Sequence, residues 1–85
     1  MNVLVPSPLR SYTASRIVEA EGECLDDLLI DLDRQYPGIR FRMVDEQGRI
    51  RPHLRFFLQG RQLFDLRQKL EPDAELTIVQ ALSGG

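Results

Sequence analysis

Leu25, Leu28, Leu29, Leu32 and Tyr36 recur at i, i+3, i+4, i+7 and i+11. That spacing puts apolar side chains along one side of an α-helix and along no side of a strand. Asp26, Asp27, Asp31 and Asp33 fall on the other side, two of them in the first turn, where the helix dipole favours anions. Pro37-Gly38 marks its end. The helix is expected near residues 24–36. A chain of 85 residues has room for one small core, so the leucine stripe must be covered by whatever the remaining residues build.

Those residues read mainly as strands. Met1–Val5 is a short apolar run closed by Pro6 and Pro8, and Ser15–Ala20 is a second β-rich run ending in Glu21-Gly22-Glu23. The two look like a hairpin across a loop containing Pro, Ser and Tyr. Beyond the helix, residues 39–53 have weak periodicity and a turn-prone Asp45-Glu46-Gln47-Gly48, which suggests a linking loop with a short helical or extended piece around Ile39–Val44. Leu54–Gln59 is a strong strand, followed by a Gly60-Arg61 turn and a return at Gln62–Phe64. Leu66 and Leu70 are spaced for one helical turn, Glu71-Pro72-Asp73-Ala74 is a turn, and Glu75–Gln80 closes the series. The order ββαββ predicts an α+β fold, with a mixed sheet of four or five strands packed on one main helix. Its core should contain Val3, Val5, Ile17, Leu25, Leu28, Leu29, Leu32, Phe56, Leu58, Leu63, Leu70, Leu76 and Ile78.

Composition and charge exclude several classes of function. No apolar run approaches the roughly 18 residues needed to span a membrane, and no basic segment with a cleavage site opens the chain. The single cysteine, Cys24, permits no internal disulfide and fits a reducing compartment, so a cytoplasmic location is expected. Residues 1–38 hold three Arg against seven acids, whereas residues 39–85 hold eight basic residues against six acids. Five arginines lie between Arg40 and Arg55, but the overall pI is near 5.3. That balance argues against nucleic-acid binding and for a solvated face or a docking surface for an acidic protein.

Nothing in the chain assembles a catalytic or metal centre. Cys24 has no nearby histidine, and His53 is alone between Pro52 and Leu54. The helix aspartates lack the spacing of a calcium loop and read as a solvated face. There is no phosphate-binding Gly-Lys loop. The terminal Gly84-Gly85 is different in kind. Two residues without Cβ make a thin tail, able to carry a carboxylate into a narrow active site on another protein. Phe57 is the other candidate. With Leu54, Phe56 and Leu58 turned to the helix, Phe57 points out of the sheet, either beneath a loop or in an exposed patch with Val79 and Leu82, flanked by Arg55 and Arg61.

Arg55-Phe56-Phe57-Leu58-Gln59-Gly60-Arg61-Gln62-Leu63 resembles the central strand and turn of ubiquitin, and Leu66–Gly85 resembles the ending of the MoaD/ThiS-like sulfur carriers, particularly the branch serving cysteine synthesis. One departure is visible: Gln80-Ala81 stands where many members carry proline before the tail. The resemblance implies a ubiquitin-like β-grasp over residues 1–80, with a flexible tail at 81–85. It implies a protein substrate, not an enzyme, with no bound cofactor. An ATP-dependent ubiquitin-activating-like adenylyltransferase would adenylate Gly85. The terminus would become a thiocarboxylate, and a sulfur-accepting biosynthetic enzyme would take the sulfur. Two other outcomes stay open on the residues: conjugation of Gly85 to lysines, as in a protein modifier, or an interaction module that is never activated.

Overall fold

The computed structural model describes residues 1–81. Five strands form one sheet in the order β2-β1-β5-β3-β4. They are β1 (Asn2–Leu4), β2 (Ile17–Glu19), β3 (Leu54–Leu58), β4 (Arg61–Leu63) and β5 (Leu76–Gln80). The first and last strands lie side by side and parallel at the centre, Val3 opposite Leu76 and Leu4 opposite Thr77. Antiparallel partners flank them, β2 on β1 and the β3–β4 hairpin on β5. A parallel central pair cannot be joined by a tight turn. The helix and the second hairpin together make that long connection.

The main helix, α2 (Leu25–Gln35), has the phase its leucines dictate: Leu25, Leu28, Leu29 and Leu32 are all fully buried. They meet Val3, Phe56, Leu58, Leu63, Leu76 and Ile78, which alternate inward along their strands. Burying each such side chain contributes about 1.5–3 kcal/mol. Every expected core residue is buried except Ile17, which is 46% exposed. The cause is strand phase. Val3 pairs with Val18, so Val18 shares the inward face and Ile17 is turned outward.

Local structure elsewhere departs from expectation in two places, the β1–β2 connection and the stretch from Leu66 to Leu70, and around Ile39 it takes the helical of the two forms expected. The connection between β1 and β2 folds into a 3-10 turn (Ser7–Leu9) and a short helix, α1 (Arg10–Thr13), which buries Leu9 and Thr13. Residues Ile39–Met43 form a further helix, α3, and bury Ile39 and Met43 as an extension of the core. The stretch from Leu66 to Leu70, expected as a helical turn, is instead irregular. Its backbone is engaged by α2, because the Leu66 and Gln68 carbonyls accept the N–H groups of Asp26 and Leu25. Cys24 provides no side-chain cap, so these carbonyls satisfy donors that a helix start leaves open.

Two glycines explain how tightly this closes. A Cβ on Gly22 would lie 2.3 Å from the Leu28 backbone nitrogen, so the chain can pass the helix there only as glycine. Gln59 and Gly60 both have positive φ, 50° and 81°, which lets two residues reverse β3 into β4. The turn is therefore Gln59-Gly60, one residue earlier than expected, and Arg61 already belongs to β4.

Candidate functional site

The helix covers one face of the sheet. The face turned away from it carries three of the expected docking residues, Phe57, Val79 and Arg55. Phe57 sits opposite Thr77 on β5 and Gln62 on β4, and Thr77 in turn pairs with Leu4, which pairs with Ile17. Paired residues point to the same side of a sheet, so Ile17, Leu4, Thr77, Phe57 and Gln62 form one row across all five strands. Val79 and Arg55 face each other in the adjoining row. Phe57 is half-buried, Val79 is 40% exposed and Arg55 is exposed.

Sequence reasoning missed Leu4 and Ile17 as members of this row. Alternation along single strands could not reveal them; only the β1–β2 and β1–β5 registers bring them into line. Phe64, 74% exposed, lines a shallow depression with Arg55 and Gln62 and adds a second aromatic at this margin.

Arg61 stands apart. Its register partner is Leu58, an inward residue, so Arg61 lies on the helix side of the sheet margin. There it pairs with Glu71 at 3.3 Å. The structure therefore does not bring Arg61 together with Phe57 and Val79. Leu82, Gly84 and Gly85 lie outside the described residues. Backbone hydrogen bonding continues one residue beyond β5, with the Ala81 N–H donating to the His53 carbonyl at 2.8 Å. Ala81 is the last described residue, three positions before Gly84 in the sequence.

The helix aspartates hold local structure together, a correction to their reading as a merely solvated face. Asp26 accepts from Arg40 at 2.7 Å, tying α2 to α3. Asp33 accepts the backbone N–H groups of Gly38 and Arg40 and so caps the start of α3. Asp31 accepts from Arg34, from the Glu21 N–H and from Gln35. The Arg34 hydrogen bond, followed by the Glu21 N–H, holds the Asp31 carboxyl below the usual carboxylate range. Among the described residues no cluster of His, Cys, Asp or Glu could hold a metal ion. No helix there is long and apolar enough to cross a membrane.

A central parallel pair flanked by two antiparallel hairpins, with one helix across a single face, defines the architecture. The fold is the ubiquitin-like β-grasp. Similar solved structures include CysO of Amycolatopsis orientalis, from its complex with BexX, at 25% identity and a TM-score of 0.89, with 99% of this chain and 98% of that one covered. CysO of Mycobacterium tuberculosis matches at 24% identity and a TM-score of 0.89, over 95% and 98% of the two chains. Small archaeal modifier protein 1 of Methanosarcina acetivorans matches at 22% identity and 0.80, over 99% and 94%. No protein-family model and no curated protein sequence matches the chain. This β-grasp thus has as neighbours the kind of ubiquitin-like protein that its tail and central strand resemble.

Proposed function

We propose that this protein is a ubiquitin-like sulfur carrier whose reactive group is the Gly85 carboxylate. A carboxylate resists nucleophilic attack until its oxygen becomes a leaving group. In the proposed cycle an ATP-dependent adenylyltransferase joins that oxygen to the α-phosphorus of ATP and releases pyrophosphate. Sulfide, supplied as HS⁻, then attacks the acyl carbon. A C–S bond forms, the C–O bond to AMP breaks, and a thiocarboxylate remains. A biosynthetic enzyme making cysteine, thiamine, molybdopterin or a related product takes the sulfur.

The observation that carries this reading is the placement of Gly84-Gly85 four and five residues beyond the central strand β5 of a β-grasp similar to CysO. The adjoining outward rows containing Phe57 and Val79 lie on that same strand and its neighbour, and form the proposed docking face. Conjugation of Gly85 to lysines is the second reading, favoured by the likeness to a small archaeal modifier protein.

ATP–pyrophosphate exchange with the cognate adenylating enzyme tests the first step. Wild-type protein should support exchange, and a variant lacking Gly85 should not, at unchanged melting temperature. Equal exchange by both would remove the carrier and modifier readings together. Intact mass separates those two: a thiocarboxylate adds about 16 Da to the chain, whereas a modifier appears as higher-mass lysine conjugates.

A further inference from the structure

Of the five arginines between residues 40 and 55, the structure neutralises two. Arg40 pairs with Asp26 at 2.7 Å, and Arg49 lies 3.7 Å from an Asp45 carboxylate oxygen. Among the described residues Arg42, Arg51 and Arg55 have no carboxylate within ion-pair distance. These three are not scattered. Arg42 and Arg51 line one shallow depression with Phe41 and His53. Arg51 also lines the adjoining one with Pro52, Arg55 and Phe64.

The cluster is organised around an exposed aromatic. The Arg51 guanidinium lies 4.7 Å from the centroid of the Phe41 ring, and its Nε donates to the Phe41 carbonyl at 2.8 Å. Phe41 itself is 57% exposed, although it sits on the short helix that buries Ile39 and Met43 fully. Arg55 is held back against the loop by donation to the Pro52 carbonyl, and it also donates to the Leu54 carbonyl at 3.0 Å. His53 belongs to the same surface, and its carbonyl receives the Ala81 N–H. Three cations and an aromatic therefore lie around His53, to which the last described residue, Ala81, is hydrogen-bonded.

We propose that Arg42, Arg51 and Arg55, with Phe41, form a second docking surface that receives an acidic segment of the protein into which the tail is inserted. This rests on the proposed use of the tail by a partner. The charge arrangement selects the occupant: cations without a carboxylate partner at an accessible surface favour carboxylates and raise the rate of encounter. Phe41 adds apolar contact, so that the site holds an acidic peptide as well as attracting it. The outer face with Phe57 and Val79 supplies the apolar contact, while this surface steers and orients the tail.

The experiment has two arms. In the first, the isotope-labelled full chain is titrated with a synthetic peptide of six glutamates, followed by amide shifts. Changes should concentrate on residues 41–42, 51–55 and 81 and vanish near 0.5 M salt. Equal changes around Arg16, Arg34 and Arg67 would overturn the assignment, as would tighter binding of a ten-residue oligothymidine at the same positions. In the second arm, exchange with the adenylating enzyme is measured for Arg42→Gln/Arg51→Gln/Arg55→Gln. The rate at limiting protein should fall about tenfold at low salt and converge with wild type at high salt. Arg42→Gln alone, which breaks no hydrogen bond among the described residues, should show the same salt dependence more weakly and guards against misfolding of the triple variant. A triple variant that folds and matches wild type at low salt would sink the proposal. Absent exchange by wild type would instead remove the carrier reading, with the peptide titration still deciding this surface.

Discussion

Phe56 and Phe57 are chemically identical neighbours in β3, yet the sheet gives them opposite work. Phe56 is fully buried between Ile78 and Leu63 beneath α2, whereas Phe57 stands half-buried on the bare face beside Thr77 and Gln62. The same contrast runs the width of the sheet. Val18, Val3, Leu76 and Leu58 make an inward row; Ile17, Leu4, Thr77 and Phe57 make the outward row one residue along. A sheet covered on one side only must put polar groups on the other or leave apolar groups there for a purpose. Here the outward face keeps Ile17, Leu4, Phe57 and Val79. Their presence is unnecessary for the core, which is already complete on the inner side.

The contrast can be broken most severely from the inside. Phe56→Ala should destabilise the protein by about 3–5 kcal/mol, read from denaturant unfolding, because it empties the centre of a small core. Leu29→Ala, on the buried face of α2, should cost about 2–5 kcal/mol. A loss below about 1 kcal/mol at either position would mean that the core can collapse around the cavity.

Phe57→Ala sharpens the comparison from the other side. It should lower affinity for the activating or accepting enzyme by about 1–3 kcal/mol, measured by calorimetry, while moving the melting temperature far less than Phe56→Ala does. Equal stability losses for the two phenylalanines would make Phe57 a core residue. The β2 strand offers a finer version. Val18→Ala should cost about 2 kcal/mol of folding and Ile17→Ala less than about 0.5 kcal/mol, since only Val18 faces α2.

The smallest effect concerns the helix surface. Arg34→Ala should raise the Asp31 titration toward the ordinary aspartate value of about 3.9, followed by carboxyl NMR. Because the folded-state value is depressed, the associated stability is present above that unfolded value. It is lost as pH falls through the lower folded value, so neutral and mildly acidic solutions should show the full contribution. Arg34 is 72% exposed, which limits the pair to less than about 1 kcal/mol. An unmoved Asp31 titration would assign the depression to the Glu21 N–H instead.

Much of this was legible in the order of residues. The leucine spacing fixed both the existence and the phase of α2, since a helical stripe of four leucines admits one buried face. Alternation along Leu54–Leu58 and Leu76–Gln80 separated Phe56 from Phe57 and Ile78 from Val79 for the same reason: a strand has only two sides. The likeness of the tail and central strand to ubiquitin-like proteins pointed to the fold now seen. Local periodicity fails where a run is too short to have a phase. Three residues of β2 could face either way, and only pairing of Val18 with Val3 decided that Ile17 turns outward. The start of α2 carries no side-chain cap, and its donors are met by carbonyls about 40 residues away, at Leu66 and Gln68. The arginines were visible as a cluster in sequence, but their sorting into paired and free was not. Asp26 lies 14 residues from Arg40 and reaches it only because α3 packs against α2. Side-chain type and spacing set which faces exist. Long-range pairing decided which of those faces are covered, because burial is a property of two surfaces and the chain order describes only one at a time.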